Sequence, residues 1–573
     1  YGLTSVSRVQ RRMESQTRDS PDLGHEIFTM DDVLRRLSLL ETALSKLSST
    51  QLSSPGQVDS QLLWSNYNNL DWEPVTRSSA SPAHLSYTTV GKSPNDEDSR
   101  SVAAGQLPPV QVLRSVIKTY FSCFHNQPYS FFHETSFMKR FESNCLPNCL
   151  LLAVLALAVR FSEDYHGQSW AVSDAFSHQS WLCVLQDNLS HDEGLNLDVV
   201  QTATILSIVD YTGNAPTFPL VPSATGRLSA GWLRLGVAIR VSQDMNLTSE
   251  PPPHLSIIEG EERRRTFWAM YIVDKLMSCS RSRPAAIDDQ SFSIRLPCDE
   301  QKFLDGDWAL TPTLGEAMAW DNMDADATPL GSFGLCVLAS SVFSRCVRYA
   351  HGWTEPETLL PWDPRSDFNS VISSLLLLES HLNIGGTSSP PDTSSGSSPA
   401  GDDSLSQHQA NQLAFANAIF HLCHCLLNHP FLVRLRLRRV ASRTPNSFAS
   451  RAFDLAQEHA RQLSHLLSVT SNTLSSPSPS FYSYCASVAA SIHSLAMFSS
   501  RQRHGLASYD ATKYFRQSVD FMEKLEQVWP FSAPMKAKIL ALEARGSAYA
   551  TQCDLKHSFD DMDCETEEEA SAP

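Results

Sequence analysis

Three side chains in the segment HLCHCLLNHP have the types and the spacing of zinc ligands. His421, Cys425 and His429 lie at positions i, i+4 and i+8, so they would share one face of a helix. The segment is otherwise apolar, and no acidic residue or ligand from another element accompanies them. We therefore expect these side chains to pack in a core, with no metal site in this chain.

Three consecutive arginines, residues 263–265, directly precede a long apolar run. Glu259 stands four residues before Arg263 and Glu261 four before Arg265, which is the spacing and direction that favours ion pairs on a helix. A nucleic-acid surface should instead leave its basic side chains unpaired and facing water. We therefore expect the triplet to anchor its helix through a buried polar network, as scaffold and not as a DNA-binding patch.

The helix that carries the arginines should begin near Ile257, because the segment Ser256–Glu259 forms an S-x-x-E capping box. The sequence TFWAMYIV that follows the arginines is apolar on all sides, so the helix should enter a core. Asp274 falls within that buried length and needs a cationic partner. Arg240 or Arg283 could supply it.

Motifs of the common enzyme classes are missing from the sequence. It has no G-x-S-x-G elbow, no P-loop, no dinucleotide fingerprint and no H-E-x-x-H metal site. The acidic pair Asp288 and Asp289 lies in a loop, where turn capping is the expected role. Cys145 and Cys149 have no second cysteine pair that would complete a zinc knuckle. We therefore expect that the protein is not an enzyme.

Composition limits the function further. The net charge of −17 over 573 residues argues against a phosphate grip by the bulk of the chain, so any DNA contact must come from a locally basic piece. The 13 cysteines are spread mostly through apolar stretches and suit free thiols in a reducing compartment. The most apolar run, Cys149–Val159, is shorter than the about 20 residues that cross a bilayer. We expect an intracellular chain with no membrane partner, present here as a fragment or processed product.

The N-terminal part divides into three predicted segments. Residues 1–28 are a locally basic linker, and residues 50–106 are rich in Ser, Pro, Asn and Asp and should be a disordered linker. Between them, residues 29–49 carry an a/d heptad seam that predicts a short coiled-coil dimerisation helix; the alternative is a helix packed on its own domain. The seam residues are Met30, Val33, Leu37, Leu40, Leu44 and Leu47.

From residue 107 onward the apolar residues recur at helical spacing, with no convincing alternation at period two, and this predicts an all-α fold. A large multi-helix regulatory body should extend over residues 107–305 and continue over 306–553. A low-complexity insert at 385–408 should be a disordered loop, and residues 554–573 form an acidic, disordered tail.

Several smaller features of the body carry expectations of their own. Trp232, Leu235 and Ile239 should line one face of a helix, which should end at Asn246 in the left-handed conformation. The basic segment Arg434–Arg439 could be a nuclear import signal or a partner contact. The alternative is a helix end whose leucines face inward while its arginines cover solvent.

Three stretches of the body together resemble the fungal-specific transcription factor domain, the middle homology region of fungal binuclear zinc-cluster regulators. They are GWLRLGVAIRVSQDMNL, EGEERRRTFWAMYIVDKLMS and SRPAAIDDQSFSIRLP, and the resemblance extends over residues 107–445. Asn246 and Ser282 stand where the family commonly has glycine. The residues that match the family's structural motif are Arg240, Glu262 (or Glu261), Arg263, Arg264, Arg265, Phe267, Trp268, Asp274, Arg283 and Pro284.

The resemblance implies a nuclear transcription factor that regulates RNA polymerase II genes in a fungus. The family binds DNA through a cluster of six closely spaced cysteines that holds two zinc ions, and no cysteine precedes Cys123 here. Zinc is therefore expected in an N-terminal cluster that is missing from this chain, and no cofactor is expected in the chain itself. Arg8, Arg11 and Arg12 would contact DNA phosphates where the polypeptide leaves that cluster.

The implied partners, besides DNA, are a second subunit and the transcription machinery. The helix at 29–49 would form a homodimer or a heterodimer with a related factor. The acidic tail, with Leu555, Phe559 and Met562 among its acids, fits an activation segment that binds coactivators; otherwise it is a solubilising terminus. One alternative is a co-regulator without a cluster that dimerises with an intact zinc-cluster factor. Another is a helical domain that turns over a small molecule, which would need a pocket with convergent polar groups.

Overall fold

The structure, a computed structural model, is helical over the residues that it describes. Within those residues no strand forms, and a single β-bridge joins Arg295 and Thr313. The predicted all-α fold is therefore confirmed. The described residues are 107–165, 169–190, 195–213, 228–279, 283–319, 330–350, 359–382, 402–437, 444–473, 477–498 and 510–552.

The first helices pack around one that is apolar on all sides. Helix α3 is buried at every position from Cys149 to Ala158, and α1, α4 and α5 pack against it, while α6 packs on α5. A helix without a polar face is stable only at the centre of a core. The helices are α1 (Val110–Cys123), α2 (Glu134–Glu142), α3 (Asn148–Ala158), α4 (Ser169–Cys183), α5 (Leu197–Thr212), α6 (Leu228–Asp244) and α7 (Ile257–Met277).

The later helices form a second packed group. Helix α10 packs on α12, α12 packs on α14, and α15, α16 and α17 pack on one another. The helices are α8 (Glu300–Asp305), α9 (Leu314–Ala317), α10 (Ser332–Ala350), α11 (Asp367–Leu382), α12 (Asp402–Leu427), α13 (Pro430–Leu437), α14 (Asn446–Thr473), α15 (Tyr482–Met497), α16 (Ala511–Val528) and α17 (Ser532–Gln552).

Helix α7 connects the two groups. It packs against α5 and α6 of the first group and against α10 of the second. Its residues from Arg265 to Met277 are buried without interruption. The two predicted parts of the body, 107–305 and 306–553, therefore share a core along this helix, which is the one that carries the arginine triplet.

The predicted face of α6 is partly wrong. Leu235 and Ile239 are buried, but Trp232 is 39% exposed. The reason is the position of Gly231, where a Cβ atom would lie 2.8 Å from the Ser207 carbonyl oxygen of α5. The two backbones lie close together at that glycine, and the next residue along the helix faces solvent.

Two predicted boundaries can be compared with the structure. Asn246 has φ +54°, so the left-handed end of the α6 segment is confirmed. The insert predicted as disordered at 385–408 is corrected at its end, because α12 begins at Asp402. Two adjacent acidic residues at that point favour a helix N-terminus by their interaction with the helix dipole.

Several predicted features lie outside the described residues. They are the linkers at 1–28 and 50–106, the seam at 29–49, the phosphate contacts Arg8, Arg11 and Arg12, Ser282, and the tail at 554–573. Among the helices that the structure does describe, none is both long and apolar enough to cross a bilayer.

Three histidines meet where α12 packs on α14. The Nδ1 atoms of His421 and His459 lie 3.0 Å apart, and the rings of His424 and His459 stack with centroids 3.9 Å apart. Burial lowers the pKa of His421 and of His424 to about 3 and that of His459 to about 4. The folded protein therefore holds these imidazoles neutral.

This histidine contact predicts loss of stability in mild acid. Because the folded pKa values lie below the unfolded value near 6.5, the stabilisation is complete above that pH and is lost as the pH falls toward 4, by up to about 1.4 kcal/mol per pH unit for each histidine. We expect the substitution His424→Phe, which keeps the ring stack, to reduce the drop in melting temperature between pH 7 and pH 5. Exposed His465 on α14 provides the control, His465→Gln, which should leave the drop unchanged. Equal pH sensitivity of His424→Phe and the wild type would contradict the assignment.

Candidate functional site

The helix that carries the arginines begins as predicted. The Ser256 hydroxyl accepts a hydrogen bond from the Glu259 N–H at 3.2 Å, and a Glu259 carboxylate oxygen accepts from the Ser256 N–H at 3.0 Å. These are the two bonds of a capping box, and α7 starts at Ile257. The carboxylate of Glu259 is thereby committed to the cap.

The three arginines occupy three different environments. Arg263 donates to the Met245 carbonyl at 3.2 Å, in place of the predicted pair with Glu259. Arg264 bridges Glu250, at 2.8 Å, and Glu261. Arg265 is fully buried. The prediction of a buried polar network is confirmed, although its charged partners are only partly those expected.

Arg265 is the centre of this network. Its guanidinium donates to Glu261 on its own helix at 3.1 Å, as predicted, and also to Glu300 of α8. It donates further to the Ser130 hydroxyl at 2.7 Å and to the Cys298 carbonyl at 3.0 Å. Every edge of the guanidinium thus meets an acceptor, which is what a buried arginine requires.

An aromatic ring and a second layer of amides complete the centre. The Phe303 ring lies 4.0 Å from the guanidinium carbon of Arg265, a cation–π contact. Glu300 also accepts from the Asn126 side-chain amide at 2.9 Å, and Gln412 of α12 donates to Asn126 at 3.4 Å. The network therefore ties the loop after α1, α7, α8 and α12 to one point.

The pKa shifts follow from this geometry. Burial alone would lower the pKa of Arg265, but the carboxylates of Glu300 and Glu261 raise it above its ordinary value. Burial alone would raise the pKa of Glu300, but Arg265 holds it below its usual range. Both groups therefore stay ionised.

Asp274 is satisfied by backbone and not by an arginine. Its two carboxylate oxygens accept from the N–H groups of Ala286, at 3.0 Å, and Ile287, at 2.9 Å. The predicted partners are wrong: Arg240 is exposed and donates to a nearby glutamine, and Arg283 donates to the Ser229 hydroxyl. Asp274 therefore fixes the loop after α7 to that helix.

The loop residue Asp289 anchors a second polar cluster. It accepts from the Tyr271 hydroxyl at 2.7 Å and from the Ser341 hydroxyl of α10 at 2.7 Å, and pairs with Lys275 at 3.2 Å. Despite burial, which would raise it, the pKa of Asp289 is lowered by Lys275 and these hydroxyls. Its neighbour Asp288 accepts from the backbone of its own turn, as expected for a capping residue.

The remaining motif residues also have structural roles. Glu262 accepts from the His133 N–H at 2.7 Å, and burial raises the pKa of Glu262 to about 7. Trp268 donates from its indole nitrogen to the Arg295 carbonyl at 2.7 Å, and Phe267 packs edge-on against Trp268. Pro284 is on the surface, in the anchored loop.

The candidate zinc ligands have separate partners. His421 contacts His459, His429 contacts the Ser491 hydroxyl at 2.9 Å, and Cys425 is buried among helices. The three are buried, as the core-packing interpretation predicts. In the described ranges, no group of three acidic, histidine or cysteine side chains has the placement of a metal site.

The basic segment after α12 is partly covered. Arg436 lies over the Tyr349 ring, with its guanidinium carbon 3.5 Å from the ring centre, and donates to the Tyr349 carbonyl. Leu437 is buried but Leu435 is 48% exposed, so the leucines of this segment do not all face inward. Arg438 and Arg439 lie outside the described residues.

Two cavities were candidates for a ligand. One lies beside Tyr349 and Phe368, and the other beside Gln127 and Trp529; each encloses about 10 Å³. That volume holds about one water molecule, far less than the several hundred Å³ of a typical ligand pocket. Neither cavity supports turnover of a small molecule.

The sequence interpretation missed the residues of the Arg265 network that are far from Arg265 in the sequence. Glu300, Ser130, Asn126 and Gln412 are all separated from it by long stretches of chain, and none carries a local pattern that signals the contact. The only available signal was indirect. Arg265 has too few local acceptors for a buried guanidinium.

The Arg265 centre predicts a large cost when its charge is removed. Arg265→Met leaves Glu261 and Glu300 buried with one compensating cation fewer, and breaking such a pair costs about 3–5 kcal/mol of folding free energy. We expect a matching fall in the urea midpoint, measured by circular dichroism. Arg263→Met, which removes one bond to a carbonyl, should cost about 1 kcal/mol.

A third variant separates charge from packing. Adding Glu261→Gln and Glu300→Gln to Arg265→Met should recover much of the loss, because no carboxylate is then left buried without its partner. Equal midpoints for Arg265→Met and Arg263→Met would contradict the central role of Arg265.

Comparison with known proteins agrees with the motif. The model of the fungal specific transcription factor domain matches residues 117–352. The chain is 24% identical to an uncharacterized transcriptional regulatory protein of Schizosaccharomyces pombe over 61% of the chain and 37% of that protein. It is 22% identical to the Zn(2)-C6 fungal-type transcription factor FTF1c of Fusarium oxysporum f. sp. lycopersici over 74% of the chain and 44% of that protein. The corresponding values for FTF2 of the same organism are 24%, 74% and 38%.

The chain thus spans about two fifths of the length of the curated relatives that it matches. The matched domain includes α7, the Arg265 centre and the anchored loop after α7. The family and the relatives are transcription regulators and not enzymes. The buried arginine network therefore lies within the part of the chain, residues 117–352, that is identified as a fungal specific transcription factor domain.

Proposed function

We propose that this chain is the regulatory and activation body of a nuclear transcription factor that acts on RNA polymerase II genes and binds DNA through a zinc cluster outside the chain. The supporting observation is the domain match together with relatives that are named Zn(2)-C6 factors and are more than twice as long as the stretch they share with this chain. Six cysteines would hold two zinc ions in that cluster.

The body itself is poorly suited to DNA. The guanidinium groups of its most basic described segment, residues 263–265, are already bonded to carboxylates, a carbonyl and a hydroxyl of the protein. The net charge of the whole chain is −17. DNA affinity depends on cations that are free to replace counterions on phosphates. In this proposal such cations are Arg8, Arg11 and Arg12, in the basic linker that follows the cluster.

Dimerisation is the second element of the proposal. The seam from Met30 to Leu47 would join two chains as a parallel coiled coil, either as a homodimer or with a related factor. The seam is shorter than three heptads, so the pairing should be concentration-dependent. Two clusters brought together in this way would bind two half-sites, as dimeric DNA-binding proteins do.

We expect the product of the complete open reading frame to bind promoter DNA, and chelation of zinc to abolish that binding. In a gel-shift titration, replacing Arg8, Arg11 and Arg12 by Gln should weaken binding at all sequences and lower the salt slope by about 3, because each lost phosphate contact contributes about one unit. Leu40→Glu, on the seam, should weaken binding to paired half-sites. Leu39→Glu, off the seam, is its matched control.

The outcomes separate the proposal from its alternative. A reading frame with no cysteine cluster upstream of Tyr1 would leave the cluster-less co-regulator, which binds DNA only when mixed with an intact factor. Binding that survives chelation would contradict both.

The acidic tail is the proposed activation segment. We expect the 573-residue chain, tethered to an unrelated DNA-binding domain, to activate a reporter gene in yeast. Replacing Leu555, Phe559 and Met562 by Ala should reduce that activity at least about fivefold, because a few apolar anchors supply most of the binding energy in such grooves.

The matched control for the tail keeps the anchors and changes neutral positions. Ser571→Gly with Ala570→Gly should leave reporter activity unchanged, and immunoblotting should show equal protein levels for all variants. Full activity of the triple alanine variant would mean that the tail only solubilises the chain.

A further inference from the structure

One corner of the body exposes four large apolar side chains. Trp308 is 69% exposed, Leu310 57%, Ile257 48% and Leu304 40%. Single exposed apolar residues are ordinary on protein surfaces, but a group that includes a bare tryptophan is typical of a binding surface. We call these four residues the corner patch.

The members of the corner patch belong to two segments that touch. The side chain of Ile258, next to Ile257, lies so close to Gly306 that a Cβ atom there would be 3.4 Å from it. Gly306 stands two residues after Leu304 and two before Trp308. The start of α7 and the connection from α8 to α9 therefore meet at one place on the surface.

Backbone hydrogen bonds hold both ends of the connection that carries Trp308. At one end Gly306 ends α8 with φ +71°, and the Asp307 N–H donates to the Lys302 carbonyl at 2.8 Å. At the other end the Leu296 N–H donates to the Pro312 carbonyl at 2.8 Å. The chain between these points is held against the body, yet its indole faces solvent.

The Arg265 centre contacts the buried side of α8, the helix that carries Leu304 of the corner patch. Within the six residues of α8, Glu300 pairs with Arg265 and Phe303 stacks on it, while the adjacent Leu304 faces outward. The buried network thus fixes the element that presents the patch. A surface presented on a rigid element loses little entropy on binding.

The rim of the corner patch is acidic. Exposed carboxylates from α2, α8 and the connection lie beside the junction, and Lys302 is the exposed lysine among them. The exposed acidic residues are Glu134, Asp305 and Asp307. Glu134 belongs here because His133, its neighbour, bonds the Leu304 carbonyl at 3.3 Å.

We propose that the corner patch is a docking surface for a basic, amphipathic helix of a partner protein. The apolar side chains of that helix cover Trp308, Leu310, Leu304 and Ile257, and its lysines and arginines lie over the acidic rim. The charge complementarity steers association and selects against acidic partners. The proposal uses no residue of the DNA-binding cluster or of the acidic tail, so it stands whether or not those proposals hold.

The experiment measures binding of two synthetic helical peptides to the 573-residue chain by fluorescence anisotropy. One peptide has leucine on one face and lysine on the other, and the matched peptide has glutamate in place of lysine. We expect the lysine peptide to bind at least about tenfold more tightly at low salt, and to lose most of this advantage at about 1 M salt.

Substitutions locate the binding. Trp308→Ala with Leu310→Ala should weaken the lysine peptide about 30-fold, because truncating a central tryptophan anchor has that effect. Asp305→Asn with Asp307→Asn should reduce the ratio of the two peptide affinities, and it should not weaken binding of the glutamate peptide. Trp232→Ala removes an exposed tryptophan on α6 and should change nothing. The changed residues are exposed, and unchanged circular dichroism melts verify the folds.

Four results would overturn the proposal. They are no binding of the lysine peptide up to about 1 mM, equal affinity for the two peptides, equal affinity of the Trp308→Ala, Leu310→Ala variant and the wild type, or loss of binding in Trp232→Ala. Sedimentation velocity tests the other candidate occupant of the patch, a second copy of this chain. If the same Trp308 and Leu310 variant instead converts a dimer to a monomer, the patch is an interface between two copies of this chain.

Discussion

Burial of the Arg265 guanidinium is the constraint on which the rest of the domain depends. An arginine does not lose its proton inside a protein, so the fold must bring acceptors to it. One carboxylate comes from its own helix through Glu261, and the second comes from α8 through Glu300. Arg264 also pairs with Glu261 and, nearer the surface, with Glu250, so two arginines are shared among three carboxylates. Such a centre specifies one arrangement of the surrounding segments, since any other leaves a charge without a partner.

The parts of this centre that were predictable from sequence are those in which helix geometry alone decides the contact. Ser256 with Glu259 and Glu261 with Arg265 are three and four residues apart, a spacing that a helix brings together. The same spacing does not pair Glu259 with Arg263, because Glu259 caps the helix and Arg263 donates to the Met245 carbonyl. Glu300 could not be found in this way. It lies on a six-residue helix whose position follows from packing, and one acidic residue has the same local appearance as many others.

Asp274 and Trp232 show two further limits of sequence interpretation. A buried carboxylate suggests a cationic partner, but two backbone N–H groups satisfy Asp274 equally well. Every residue except proline carries such a group, so no residue type reveals it. Trp232 is on the apolar side of its helix by periodicity alone. Because α6 approaches α5 closely at Gly231, the face of α6 that packs on α5 includes Gly231 and not Trp232, and Trp232 faces solvent.

Shifted pKa values usually point to catalysis, but here they follow from burial. Burial lowers the pKa of His421 and His424 to about 3, and the groups beside them include another histidine and the Phe420 ring. Burial also raises the pKa of Cys425 above its ordinary value, which leaves that thiol protonated and unreactive. In each case burial suppresses the charged form. In the described part of the chain, the interior ionisable groups named here are neutral or bonded to other protein groups, whereas the side chains that are open to a partner lie on the surface. In α8 this division falls between adjacent residues, because Phe303 contacts the buried cation and Leu304 faces the solvent.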